Sequence, residues 1–139
     1  MTKEVTVIID GLQFGAEDEA VSMIAPGVYH HSHGKHYIQY EENAESGEGS
    51  TQSTIKITPK RIEIVKKGVI TSHMIFAVGK PSQTLYQTPY GDLFLEIQTN
   101  ELVVEATTEE ILASFHYTLS ANGDYLSDNR IVIRVGAKS

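Results

Sequence analysis

The chain has 139 residues and no cysteine, with 40% hydrophobic and 21% charged side chains, a globular composition. One domain spanning residues 1–139 follows, able to bury roughly two thirds of the surface its unfolded chain exposes without a disulfide or a metal. The formal charge of −7, from 18 acidic and 11 basic residues, repels phosphate backbones and anionic lipid, which argues against nucleic acid and membranes as partners.

In chain order, the first apolar run is Val5-Thr6-Val7-Ile8-Ile9, broken by Thr6 and stopped by Asp10. It is too short for a signal-peptide core, and no stretch approaches the ~18 apolar residues of a membrane helix. With the missing cysteines, this makes the cytoplasm the expected compartment. Residues 16–25 are compatible with a short helix. The run His30-His31-Ser32-His33-Gly34-Lys35-His36 concentrates metal-ligand side chains. A closed zinc site needs four placed ligands, however, and nothing points to a third and fourth here. The run reads as a polar loop or strand start that gains charge below about pH 6.5. No metal and no cofactor is expected.

From there the signal is period two. Tyr37 and Tyr40 fall on opposite faces of one strand, and residues 43–52 form the longest polar interruption, a candidate for a mobile loop. Ile55 and Ile57 alternate with Thr54, Lys56 and Thr58; Ile62 and Ile64 alternate with Arg61 and Glu63. Leu93, Leu95 and Ile97 form a further run, then Leu102, Val104 and Ala106, then Ile131, Ile133 and Val135. Alternate side chains of a strand point to opposite faces, so each run has one buried face and one wet face. The stretch from Thr107 to Phe115 has capping-box spacing at Thr107 and Glu110. Ile111, Ala113, Phe115, Tyr117 and Leu119 nevertheless alternate cleanly, so it reads as a turn followed by a strand. Turn residues separate the runs: Thr58-Pro59-Lys60, Gly79-Lys80-Pro81, Pro89-Tyr90-Gly91 and Asn122-Gly123.

These links are too short for crossover helices, so neighbouring strands pair antiparallel. The expected architecture is all-β: a single antiparallel up-and-down β-barrel of about 8–10 strands, whose closure removes exposed sheet edges.

The order of residues carries a resemblance. Tyr37-Ile38-Gln39-Tyr40-Glu41-Glu42, Thr54-Ile55-Lys56-Ile57, Lys67-Gly68 and Met74-Ile75-Phe76 resemble a bacterial family of unknown function typified by the YwiB protein. The likeness continues through Tyr86-Gln87-Thr88-Pro89-Tyr90-Gly91, Thr99 and Phe115-His116-Tyr117-Thr118-Leu119, and it runs to Arg134. Tyr-x-Thr-Pro-Tyr-Gly is its most specific piece. The resemblance implies a lipocalin-like (calycin) barrel and no activity; the histidine run lies outside its pattern.

Signatures of enzymes are missing: there is no cysteine nucleophile, Gly-x-Ser-x-Gly elbow, phosphate loop or His-Glu-x-x-His pair. An enzyme is therefore not expected. The candidate ligand-binding residues are Lys56, Tyr86, Thr88, Tyr90 and Tyr117. Tyrosine joins an apolar body to a hydroxyl tip, which suits a pocket at a barrel mouth. Lys56, between two isoleucines, reaches a ligand carboxylate if its face is interior and is an ordinary surface lysine if exterior. The expected function is a binding barrel for a small apolar or amphipathic molecule. The alternative is a side-chain-filled barrel acting through its outer surface, for example as a homodimer. Phe76, Phe94, Phe115 and Tyr117 all pointing inward would favour the filled version.

Overall fold

The computed structural model describes residues 2–14, 19–43 and 49–137. Ten strands account for most of them: β1 (Thr2–Phe14), β2 (Glu19–Ser32), β3 (Lys35–Asn43), β4 (Ser50–Thr58), β5 (Arg61–Gly68), β6 (Ser72–Phe76), β7 (Ser82–Thr88), β8 (Gly91–Ala106), β9 (Glu110–Ala121) and β10 (Asp124–Ala137). They form one sheet in the order β6-β5-β4-β3-β2-β1-β10-β9-β8-β7, so almost every strand pairs with its neighbours in sequence and β1 pairs with β10. All these ladders are antiparallel. The two ends of the sheet meet where Thr71 and Gln87 exchange backbone hydrogen bonds of 3.0 and 2.9 Å. The result is a nearly closed up-and-down barrel, and it fits a lipocalin-like fold.

No helix occurs among the described residues. The helical alternative for residues 16–25 gives way to strand from Glu19 onward, because Ala25 and Met23 stand opposite Val7 and Ile9 of β1 and turn inward with them. Residues 16–18 lie outside the described residues, as do 44–48 of the proposed loop over 43–52, whose flanks belong to strands, Asn43 ending β3 and Ser50 opening β4. At Thr107 the hydroxyl accepts hydrogen bonds from the Glu109 and Glu110 amides, 3.3 and 3.0 Å away. This closes the turn and lets β9 begin at Glu110, as the alternation predicts.

Two hairpins use paired positive φ. Asn122 and Gly123 have φ of 53° and 83°, and His33 and Gly34 have 51° and 75°. A two-residue hairpin demands this backbone to match strand twist, and Gly adopts it without a Cβ clash. The second turn folds the histidine run back on itself, so that His31 and His36 face each other across the β2–β3 hairpin.

The alternation places one wet and one dry face along each strand. Ile38, Ile55, Ile57, Ile62, Ile97 and Ile133 are all fully buried, as is Val7. The two apolar runs at 93–97 and 102–106 belong to one 16-residue strand, β8. A bulge between Thr99 and Glu101 switches its parity, so that odd residues face inward before it and even residues after it. A second bulge lies between Tyr125 and Ser127 of β10.

Candidate functional site

Aromatic rings stopper the barrel at mid-height. Phe76 and Phe115 are each 1% exposed, with ring centres 4.5 Å apart. The Tyr117 ring lies 4.9 Å from Phe76 and 6.0 Å from Phe115. Phe94 points outward and is 64% exposed, so the four large aromatics do not all fill the interior.

Over this floor a cavity of about 760 Å³ opens at one end of the barrel, a size ordinary for small-molecule sites. Ile9, Met23, Ile64, Met74 and Ile131 supply apolar wall. Tyr40, Glu42, Lys66, Tyr86, Tyr117 and Asn129 supply polar groups. The polar side chains arrive by strand parity: Lys66 continues the inward face of Ile62 and Ile64, and Glu42 continues that of Ile38 and Tyr40. In register, Tyr40, Ser53, Lys66 and Ser72 form one row across β3, β4, β5 and β6.

From that row Lys66 Nζ reaches out to donate to Glu42 Oε1 over 3.1 Å, the two side chains being 23% and 30% exposed. Ser53 Oγ donates to the same oxygen over 3.4 Å. Burial, followed by the negative charge of Glu42, holds the Tyr40 phenol well above its ordinary pKa. Burial first, and Tyr86 beside it second, push the Tyr117 phenol up to about 12. Both tyrosines therefore present neutral hydroxyls at any ordinary pH. On the far side of the mouth, Asn129 Nδ2 donates to Ser127 Oγ over 3.0 Å, which fixes the amide within the wall.

The structure brings two of the five sequence candidates together, since Tyr86 and Tyr117 both line the cavity. The other three stand apart from it. Lys56 is on the outer face, because Ile55 and Ile57 on either side of it take the inside. There its Nζ lies 3.7 Å from Glu63 and 6.0 Å from the centre of the Tyr37 ring. Thr88 belongs to the β7–β8 turn, where its hydroxyl donates to the Gly91 carbonyl over 2.8 Å and accepts from the Tyr90 amide over 3.1 Å. Tyr90, at the tip of that turn, is fully exposed. The cation at the mouth is thus Lys66 rather than Lys56. Sequence reasoning missed Lys66, Glu42, Tyr40 and Asn129. For the first three the signal was present, since each extends an alternating isoleucine face by one or two positions.

The opposite end holds a second cavity of about 580 Å³, bordered by Lys3, Tyr29, His31, His36 and the turn from Thr107 to Glu110. The His31 and His36 rings stack at 4.7 Å, and the Tyr29 hydroxyl lies 2.7 Å from His36 Nδ1. Burial and then the neighbouring His31 lower the His36 pKa. Among the described residues, no group of three or more metal-ligating side chains converges. Nor is any helix among them long and apolar enough to cross a membrane.

Comparison with curated proteins finds no match. Among solved structures, the crystal structure of the YwiB protein from Bacillus subtilis is similar, with a TM-score of 0.87 and 16% sequence identity over 99% of this chain and 94% of that one. At that identity the likeness speaks for the fold, and it agrees with the barrel described above. The profile of a domain of unknown function, DUF1934, matches residues 7–133, and the chain belongs to that family.

Proposed function

We propose that the protein is a binding barrel that holds a small apolar or amphipathic molecule in its mouth. The observation that carries this reading is the cavity of about 760 Å³ bordered by the packed rings of Phe76 and Tyr117, with aliphatic walls and a few polar groups. Such a site buries an apolar body and orients a polar end. The reading is of a binder and not an enzyme: among the described residues the close charged pair at the mouth is Lys66 with Glu42, and each is engaged by the other over 3.1 Å.

The test is titration with N-phenyl-1-naphthylamine, an uncharged dye that fluoresces in apolar surroundings. Saturable binding near micromolar strength is expected, about −8 kcal/mol. Tyr86→Ala, at the cavity wall, should weaken it more than it lowers stability. The absence of saturable binding by the dye and by a panel of apolar ligands would overturn the reading.

A second reading, in which the outer surface does the work by pairing two copies, draws on one feature. Leu85 and Phe94 are cross-strand partners on the outside of the β7–β8 hairpin, 37% and 64% exposed. It predicts a concentration-dependent dimer in sedimentation, lost in Phe94→Ser.

A further inference from the structure

We infer that the molecule held in the mouth ends in an uncharged hydrogen-bonding group, a hydroxyl or an amide, rather than in a carboxylate or an ammonium. The inference rests on the binding-barrel reading and adds to it the chemistry of the ligand's polar end.

The charges turned into the cavity are balanced: Glu42 stands against Lys66, while Glu41 and Arg130 occupy the exposed, outward positions beside them. The inward-facing cation is already engaged, its Nζ 3.1 Å from Glu42 Oε1. A ligand carboxylate bonded to Lys66 would be held within a few ångströms of a second carboxylate in a half-dry site, where like charges repel far more than in water. A ligand ammonium bonded to Glu42 meets the mirror-image difficulty with Lys66. A hydroxyl or primary amide does neither, because it accepts from the ammonium and donates to the carboxylate while the pair stays intact.

The interior behind the ion pair is polar but uncharged. Ser72 stands directly across from Lys66 in the register of β5 and β6, and it is 5% exposed. Its hydroxyl has no hydrogen-bond partner among the described residues. The hydroxyl of Thr99, opposite Tyr117 and 2% exposed, is in the same position. A buried hydroxyl without a partner is costly; neither of these borders the cavity, so they mark the interior behind it as polar and uncharged and are not themselves ligand contacts. On the cavity wall itself the hydroxyls of Tyr40, Tyr86 and Tyr117 accompany the one ion pair. The facing wall of Ile9, Met23 and Ile131 takes the apolar body.

The experiment is competition for bound N-phenyl-1-naphthylamine, near neutral pH, by three molecules that share one chain: 1-decanol, decanoate and decylammonium. On the native protein, decanol should displace the dye at a concentration about tenfold lower than either charged relative, the value of one well-placed hydrogen bond against a misplaced charge. Glu42→Gln leaves Lys66 without its carboxylate and should move the preference to decanoate by about tenfold. If circular dichroism shows that Glu42→Gln is not folded, Lys66→Met serves instead and should move the preference to decylammonium. Decanoate equal to or better than decanol on the native protein overturns the inference and leaves the binding barrel standing. So does an unchanged ranking in a folded variant, and so does dye that binds but is displaced by none of the three. A native protein that binds neither dye nor amphiphile overturns the binding barrel itself, and the inference with it.

Discussion

The two ends of the barrel are built by the same inward alternation, yet they present different chemistry. At the open mouth the last inward positions of β3 and β5 are Glu42 and Lys66, which meet in an ion pair above an aliphatic well. At the other end the corresponding inward positions on β2 and β3 are His31 and His36, whose rings stack against each other beside Tyr29. Between them lies the Phe76–Phe115 pair. What differs is not the fold but the residue standing at the final inward step of each strand, where the interior meets water. A barrel's middle is constrained by packing. Its rims are less constrained, and the two rims here carry different side chains.

The largest expected effect tests the division between floor and rim. Phe115→Ala empties a buried site in the floor and should cost about 3–5 kcal/mol in chemical denaturation. Tyr86→Ala at the half-buried rim should cost about 1 kcal/mol, the centre of the range for point mutants. Equal losses from the two would break the distinction.

A smaller effect comes with alkali and belongs chiefly to the mouth. The Tyr117 phenol is raised from 10.0 to about 12 in the folded protein, by burial and then by Tyr86. Below pH 10 both folded and unfolded chains keep that proton and stability does not change on its account. Above it the unfolded chain loses the proton first, so stability falls as pH rises toward 12, by up to about 1.4 kcal/mol for each pH unit. Burial gives Tyr40, and Tyr29 at the opposite end, shifts of the same sign. Unfolding by urea as a function of pH measures the slope. Tyr117→Phe should make it shallower, and an unchanged slope would remove Tyr117 from the account.

The smallest effect belongs to the other end. Burial and His31 depress the His36 pKa, and Lys3, Tyr29, Glu109 and Glu110 share the cavity it faces. The unfolded chain therefore takes up the proton first as pH falls through about 6.5, and stability is lost on the acid side. A modest drop in melting temperature over that range, abolished in His36→Gln, is the expected result. Its persistence in the variant would assign the acid sensitivity elsewhere.

How much of this was legible in the sequence differs from one residue to the next. Tyr117 was found because it continues the alternation of Phe115, and Lys56 was open to either face until its flanking isoleucines proved to be inside. Lys66 and Glu42 obey the same parity rule as their isoleucine neighbours, but a charged residue at the end of an apolar face is usually read as the place where the strand leaves the core. The bulge in β8 hid a different fact: its change of parity at residues 99–101 looks in sequence like the end of one strand and the start of another. An inserted residue and a chain break give the same pattern when only hydrophobicity is read.

The sequence by itself determined that this protein is all-β, where most of its turns fall, and which alternate residues of a strand share a face, because period-two alternation and turn chemistry are local properties of the chain. Only the tertiary structure decided that β1 closes on β10, that Phe76 and Phe115 meet as a floor, and that Lys66 reaches Glu42, 24 positions away in sequence. Those are questions of registry between strands and of how far a barrel fills. They depend on summed side-chain volume and strand tilt around the whole sheet, which no single stretch of residues contains.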